Sequence, residues 1–186
     1  MNFLLTGGAG YIGSHAALSL LDAGHNVHII DDLSTGNESL IPKNAFFTKC
    51  NINDEEVISE LIKSNSFDLL MHFAGFIQVE ESVKYPQKYF DNNTENATKL
   101  FETCKNNGLN KIVFSSTAAA YGSVRENKLI DENTNLNPQN PYAESKIKTE
   151  NFLFENKDDY KFIILRYFNV AGADKKLRSG QISKRS

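Results

Sequence analysis

The sequence predicts an α/β fold in which a doubly wound parallel sheet is covered by helices on both faces. Two observations support this fold class. Short apolar runs alternate repeatedly with segments of helical periodicity, and right-handed crossovers turn such an alternation into a parallel sheet with helices packed on it. A glycine-rich turn also joins the first strand to the first helix, as in a nucleotide-binding βαβ unit.

The first βαβ unit takes up about thirty residues. Residues 2–6 form an apolar run, glycines break it between residues 7 and 10, and residues 11–21 continue with apolar side chains at helical spacing. Gly24 is a stop signal for this helix, and residues 27–30 are typical of a second strand.

The same alternation continues along the rest of the chain. The longest stretch without periodicity, residues 123–141, is predicted to be a functional or mobile loop, because ordinary connections are shorter. The other predicted elements are strands at residues 45–48, 67–73, 111–115 and 162–166, and helices at residues 54–64, 87–107 and 142–156.

The composition is that of an ordinary globular protein, and the 186 residues correspond to roughly 1.2 domains. The 20 basic and 23 acidic residues give a net charge of −3, which argues against a nucleic-acid partner. The sequence has no apolar run of signal-peptide or membrane-spanning length, so we expect a cytoplasmic protein without a membrane partner. Cys50 and Cys104 lack a CxxC arrangement and are predicted to be buried free thiols, with no metal site.

The turn after the first strand carries glycines at three positions that suit a dinucleotide. Gly7 permits a tight turn, Gly10 lets the backbone approach a phosphate, and Gly13 lets the helix pack closely on the strand. A plain glycine-rich turn is the alternative. The flanking strand and helix favour a pyrophosphate site.

An acidic residue ends the second strand. Asp31 follows Gly13 by eighteen residues, at the position where a carboxylate can accept hydrogen bonds from the adenosine ribose. A 2′-phosphate would meet like charge there, so NAD is favoured over NADP. The alternative is that Asp31 and Asp32 are simply solvated turn residues.

Two groups suited to proton transfer come late in the chain. Tyr142 and Lys146 are four residues apart, so on a helix they share one face. A nearby ammonium and a bound nicotinamide cation would both favour the phenolate and lower the pKa of the tyrosine. An exposed helix pair with no function is the alternative.

Hydroxyl side chains follow the predicted strand at residues 111–115. In open α/β sheets, ligands bind at the carboxyl ends of strands, and Ser115, Ser116 and Thr117 lie there. A hydroxyl at this edge could bond a substrate oxygen while Tyr142 exchanges its proton. The alternative is that these hydroxyls only cap backbone groups.

These residues together carry a resemblance to the extended short-chain dehydrogenase/reductase family and, within it, to the UDP-glucose (UDP-galactose) 4-epimerases. The resemblance covers nearly the whole chain. The matching stretches are residues 6–15, 72–75, 81–83, 91–93, 114–122, 141–146 and 166–173.

The resemblance implies a reaction and a role for each matching residue. NAD would take a hydride from C4 of a UDP-sugar, the 4-keto intermediate would rotate, and the hydride would return to its other face. Tyr142 would take the proton of the 4-hydroxyl, Lys146 would hold the nicotinamide ribose and tune Tyr142, and Thr117 would be the catalytic hydroxyl. Tyr142, Thr117 and Asn169 would contact the substrate.

The resemblance also implies an NAD-binding Rossmann domain at residues 1–168 and the start of a truncated substrate-binding region at residues 169–186. The second stretch is too short to build a domain, so we expect little or no turnover by this chain alone. The residues expected at the cofactor are Gly7, Gly10, Tyr11, Ile12, Gly13, Asp31, Asp32, Leu33, Asn51, Ile52, Phe73, Ala74, Gly75, Asn92, Ser115, Tyr142, Lys146 and Tyr167.

Two positions depart from the family pattern. Asn51 stands where many relatives have an Asp for the adenine amino group, and its side-chain carbonyl can still accept that bond. Ile77 stands where some epimerases have a Lys near the pyrophosphate, so one charge contact is missing.

Other functions compatible with the resemblance differ in substrate or in turnover. Dehydratases of the family place an acid beside the catalytic hydroxyl, whereas Thr117 is followed by Ala118 and Ala119, which disfavours dehydration. Epimerases of UDP-N-acetylhexosamines or UDP-uronates remain open, as does an NAD-binding fragment without turnover. Relatives dimerise through the helices near residues 87–107 and 142–156, so the resemblance implies a homodimer at full length.

Overall fold

The structure, a computed structural model, describes residues 1–123 and 129–182 and contains a six-stranded parallel sheet. The strands are β1 (Asn2–Thr6), β2 (Asn26–Ile30), β3 (Phe46–Thr48), β4 (Leu69–His72), β5 (Lys111–Ser115) and β6 (Lys161–Leu165). The helices are α1 (Tyr11–Asp22), α2 (Glu55–Ser64), α3 (Val79–Lys84), α4 (Pro86–Phe90), α5 (Ala97–Asn106) and α6 (Pro141–Glu155).

The strand order β3-β2-β1-β4-β5-β6 confirms the predicted doubly wound sheet. The chain builds outward from β1 to β3 and then returns to the other side of β1 at β4. This reversal leaves a crevice at the carboxyl ends of β1 and β4, which is where such sheets bind ligands. Gly7 follows β1 at this edge, and Phe73 follows β4.

Alternate strand residues contribute to two cores, one on each face of the sheet. Phe3 and Leu5 point to the face covered by α1, and Leu4 points to the face covered by α2, α5 and α6. Helices therefore cover both faces of the sheet, as predicted, but they cover them unevenly. On the edge strand β6, Ile163 remains 60% exposed.

Two helical features differ from the sequence prediction. The predicted helix at residues 87–107 runs from Pro86 to Asn106, but it contains a π-helical segment at Asp91–Asn96. Helix α3 was not predicted, because six residues are too few to show a helical period. Part of the predicted loop, residues 124–128, lies outside the described residues.

The segment after β6 folds back onto α1. Ser179 is 6% exposed and lies 2.6 Å from Ser14 between hydroxyl oxygens. Arg178 forms ion pairs with Asp22 and Asp174 at 2.7 Å each. Gly172, Arg178 and Ser179 of the predicted substrate region thus contact α1, and residues 183–186 fall outside the described part. No helix in the described ranges combines the length and apolar character needed to cross a membrane.

Candidate active site

The glycine turn between β1 and α1 is packed so tightly that two of its positions accept only glycine. Gly7 has φ +72°, and a Cβ there would lie 2.5 Å from the Ala74 nitrogen. A Cβ at Gly13 would lie 2.2 Å from the Gly7 carbonyl oxygen. These contacts agree with the roles predicted for Gly7 and Gly13, since the turn, β4 and α1 meet without room for a methyl group.

Gly10 lies in more open surroundings at the start of α1. A Cβ at Gly10 would come near only one neighbouring atom, the Gly7 carbonyl oxygen at 3.2 Å. No side chain caps this end of α1, so its first N–H groups are available to an anion. A cavity of about 280 Å³ lies on this turn, lined by Ala9, Gly10, Tyr11, Thr35, Gly36, Asn37, Leu40 and Ile182.

Asp31 connects the end of β2 to the glycine turn. It is 8% exposed, and its two oxygens accept hydrogen bonds from Ala9 N–H at 3.0 Å and Leu33 N–H at 2.9 Å. Burial raises the pKa of Asp31, and the two N–H donors oppose the rise. Each carboxylate oxygen retains capacity for a ribose hydroxyl. A Cβ at Gly36, a position that sequence reasoning missed, would lie 2.8 Å from Asp31 Oδ1.

Two further residues predicted to contact the adenosine, Asn51 and Asp32, are hydrogen-bonded to each other. Asn51 donates its side-chain N–H to Asp32 at 2.8 Å, and its carbonyl accepts from Asn53 N–H at 3.2 Å. The carbonyl therefore points away from Asp32 and can still accept an adenine amino group. Ile52 is 6% exposed and belongs to the main core, so only its backbone could meet a cofactor.

Lys146 lies buried at the carboxyl end of β5. It is 3% exposed, and its ammonium donates to the Ser115 carbonyl oxygen at 3.0 Å. A Cβ at Gly75 would lie 3.2 Å from the Lys146 nitrogen, so this glycine keeps space beside the ammonium. Burial lowers the pKa of Lys146 to about 8, and the Glu150 charge opposes this effect.

Tyr142 is the partly buried phenol one helical turn before Lys146. Burial raises its pKa, and the neighbouring Thr117 hydroxyl opposes the rise. The chain by itself therefore does not show the lowered pKa predicted for Tyr142. That prediction also counted the charge of a bound nicotinamide, and desolvation is the larger effect without it.

Thr117 caps backbone, which is the alternative considered for the strand-end hydroxyls. Its oxygen accepts from Ala119 N–H at 3.1 Å and caps a short 3₁₀ helix, Ala118–Tyr121. Its hydroxyl group also lies beside the Tyr142 phenol. Ser115 is nearby in the chain and accepts from the Tyr167 hydroxyl at 2.6 Å, so these two residues of the predicted cofactor set are in contact.

A buried asparagine that was not among the predicted site residues organises the loop after β4. Asn93 is 1% exposed, exchanges two hydrogen bonds with the Phe76 backbone at 2.8 and 2.9 Å, and donates to Ser145 at 3.2 Å. The predicted residue, Asn92, donates to Asn93 at 3.1 Å. Helical spacing can place Asn93 on the buried face of this helix, but it does not reveal which groups the amide contacts.

The remaining predicted residues occupy less enclosed positions. Tyr11 and Ile12 are partly buried in the first turn of α1, and Tyr11 donates to the Gly172 carbonyl at 2.7 Å. Phe73 and Ala74 follow β4 beside the glycine turn. Asn169 is exposed, so the structure does not enclose the predicted substrate contact. Within residues 1–123 and 129–182, no three His, Cys, Asp or Glu side chains are grouped as metal ligands.

Comparison with known proteins agrees with this geometry. Residues 3–185 match the family described as the NAD dependent epimerase/dehydratase family. The UDP-glucose 4-epimerase of Azospirillum brasilense is 45% identical over 180 residues, which are 96% of this chain and 51% of that protein. UDP-arabinose 4-epimerase 1 of Arabidopsis thaliana is 39% identical, with 96% and 45% covered.

A solved structure shows the same fold. The UDP-glucose-4-epimerase of Stenotrophomonas maltophila with bound NAD and formylated UDP-arabinopyranose superposes with a TM-score of 0.93 at 33% identity, over 98% of this chain and 57% of that one. The chain spans about half the length of the curated relatives it matches.

Proposed function

The chain belongs to the NAD dependent epimerase/dehydratase family, and we propose that it supplies the NAD-binding and proton-transfer part of a UDP-sugar 4-epimerase. UDP-glucose and UDP-galactose are the proposed substrates. The observation that carries this proposal is the grouping of Thr117, Tyr142 and the buried Lys146 at the sheet edge that also holds the glycine turn.

The described residues fit NAD as the cofactor. The turn at Gly7, Gly10 and Gly13 leaves the open N-terminus of α1 to a pyrophosphate, and Asp31 has acceptor capacity for the ribose. Lys146 has space beside Gly75 to reach the nicotinamide ribose. When bound, NAD would supply reversible hydride acceptance from the sugar C4 carbon.

The proton steps belong to the chain's own side chains. The Tyr142 phenol oxygen would take the proton from the substrate 4-hydroxyl, and the Thr117 hydroxyl would donate a hydrogen bond to the same substrate oxygen. The Lys146 ammonium would favour the phenolate through its charge. Asn169 would contact the sugar nucleotide, as the family resemblance implies.

The experiment that tests the cofactor is calorimetric titration of the 186-residue chain with NAD and with NADP. We expect binding of NAD in preference to NADP, and we expect D31N to weaken NAD binding about tenfold because ribose hydrogen bonds are lost. The exposed Asp158 gives the matched control, D158N, with unchanged affinity. No NAD binding, or a preference for NADP, would contradict the proposal.

A second candidate function is NAD binding without turnover. The match to only about half of the relatives' length favours this function. Turnover of UDP-galactose is measured in this chain and in a version extended to the length of the relatives. We expect activity in the extended version alone. Other UDP-sugars serve as alternative substrates in the same assay, since relatives include UDP-arabinose 4-epimerase 1 and a UDP-Glc/GlcNAc 4-epimerase of Campylobacter jejuni.

Two further properties belong to the proposal. We infer that the extended protein forms a homodimer through α5 and α6, which pack side by side. The π-helical segment is also joined to α6, because the Thr94 hydroxyl donates to the Ser145 carbonyl at 2.9 Å. We also infer a cytoplasmic location, in keeping with the two buried free thiols of Cys50 and Cys104.

A further inference from the structure

A buried ion pair lies directly behind the proposed catalytic groups. Glu150 on α6 is fully buried, and Arg166 after β6 donates from Nε to both of its carboxylate oxygens at 3.0 Å each. The Ser116 hydroxyl donates to the same carboxylate. Such a pair is costly to bury and costly to break, because loss of one partner leaves a charge without a counter-charge.

The pair reaches the segments that hold the catalytic hydroxyl. Arg166 also donates from Nη1 to the Tyr121 hydroxyl at 3.2 Å, and its guanidinium carbon lies 5.3 Å from the centre of the Tyr121 ring. Tyr121 ends the 3₁₀ helix that Thr117 caps, and Ser116 precedes Thr117. The ion pair therefore contacts the chain segment of Thr117 on both sides.

Glu150 also continues the row of proposed catalytic residues on α6. Tyr142, Lys146 and Glu150 are spaced by four residues, so their side chains follow one another along one helix face. Both Lys146 and Glu150 are buried, at 3% and 0% exposure. The carboxylate is one helical turn from the ammonium in a region that water does not screen.

We propose that Glu150 and Arg166 are positioning residues of the active site. The pair joins α6 to the carboxyl ends of β5 and β6, and Glu150 is the counter-charge that keeps the Lys146 ammonium protonated. The catalytic role that we assign to the pair rests on the proposed function. The effect of Glu150 on the protonation of Lys146 depends on this chain alone.

The other groups that face Lys146 do not replace this counter-charge. His72 comes from β4, and burial together with the Lys146 charge lowers its pKa to about 3, so it stays neutral. Tyr142 on α6 and Tyr167 after β6 both have raised pKa values through burial and are neutral phenols near pH 7. Among the described residues, Glu150 is thus the anion that acts on Lys146.

Direct titration of Lys146 tests the proposal without any cofactor. The chain is labelled with ¹³C at lysine Cε, the Lys146 resonance is assigned with K146R, and its chemical shift is followed against pH. In E150Q the ammonium loses its counter-charge and faces an unpaired Arg166. We expect the titration midpoint to fall by about one pH unit, because both changes disfavour a second cation.

The opposite variant predicts the opposite shift. In R166Q, Glu150 has lost its ion-pair partner, so its charge acts on Lys146 without an opposing guanidinium and we expect the midpoint to rise. The control E155Q removes an exposed carboxylate from the same helix and leaves the midpoint unchanged. A merely structural role would not give shifts of opposite sign, so unchanged midpoints or shifts in one direction overturn the proposal.

The design remains decisive if one variant does not fold. Should E150Q be unfolded by circular dichroism, R166Q is compared with the double variant E150Q/R166Q, which buries no unpaired charge. We expect the midpoint of the double variant to lie below that of R166Q, and equal midpoints overturn the proposal. NAD affinity is measured against pH in parallel, and a complete lack of NAD binding would count against the proposed function alone.

Discussion

At the scale of single residues, burial determines the acid–base behaviour of the proposed catalytic groups. The spacing of Tyr142 and Lys146 predicts that they share a helix face, but spacing does not give the degree of desolvation. The structure shows a lysine whose pKa falls to about 8 and a tyrosine whose pKa rises. The ammonium is therefore near its titration midpoint at slightly alkaline pH, where a small change in nearby charge has a large effect on its protonation.

The first prediction concerns Tyr142. Y142F removes the phenol oxygen that would accept the substrate proton, so we expect turnover by the extended protein to fall by about 10²–10⁴-fold. NAD should still bind to Y142F, because the glycine turn and Asp31 stay in place. The half-exposed Tyr85 gives the matched control, Y85F, with normal turnover. Retained activity in Y142F, measured by steady-state kinetics, would remove this residue from the role of base.

The second prediction concerns Gly13. G13A would place a methyl group 2.2 Å from the Gly7 carbonyl oxygen, and the backbone cannot move away without opening the turn. We expect a loss of at least about 2 kcal/mol in the free energy of unfolding, together with weaker NAD binding. In G180A the new Cβ would lie 3.6 Å from Ala173, so this control should unfold like the parent in urea. Equal stability of G13A and G180A would contradict the tight turn.

At the scale of secondary-structure elements, a π-helical segment brings one amide into the site. The segment Asp91–Asn96 interrupts an otherwise α-helical run and buries Asn93 between α6 and the loop after β4. The Asn93 backbone carbonyl also accepts from the Thr149 hydroxyl at 2.7 Å. This one residue therefore holds three parts of the chain together beside Lys146.

The third prediction tests that connection. N93A leaves the Phe76 backbone groups and the Ser145 hydroxyl without partners, so we expect a loss of about 2–4 kcal/mol in stability because buried polar groups become unsatisfied. N106A, at an exposed position of α5, is the matched control. Chemical denaturation measures both variants, and a loss of less than about 0.5 kcal/mol in N93A would disprove the role.

At the scale of the whole molecule, the reversal of strand order creates the place where cofactor and catalytic groups meet. The glycine turn follows β1, the Gly75 loop follows β4, and Thr117 follows β5, so three neighbouring strands deliver their loops to one edge. The helices cover the sheet unevenly, because Ile163 on the edge strand β6 is largely exposed.

The fourth prediction concerns assembly. We expect the extended protein to sediment as a dimer at micromolar concentration, and K148E on the outer side of α6 to shift it toward monomer. Lys148 is exposed, and its ammonium nitrogen lies 4.1 Å from the centre of the Phe90 ring, where it joins α6 to α4. K49E, an exposed charge reversal away from these helices, is the control. A monomer at every concentration would refute the dimer.

Particular residues show how far sequence reasoning reached. Gly7, Gly13 and Asp31 were predicted from a short local pattern, and the structure gives each of them a specific contact. Asn93 and Gly36 were not predicted as site residues, because their contacts depend on neighbours that are distant in the chain or that lie in an irregular loop. Helix α3 was missed because it is too short to show a period.

The sequence by itself determined the order of the strands and the longer helices, the glycine turn and the placement of Tyr142 and Lys146 one turn apart on α6, because periodicity and spacing act over a few neighbouring residues. Only the tertiary structure decided which polar groups are buried and what each one contacts. Glu150 meets Arg166 and Ser116 through packing of α6 on β5 and β6. Desolvation and charge pairing depend on that packing, and they set the protonation of Lys146 that the proposed chemistry requires.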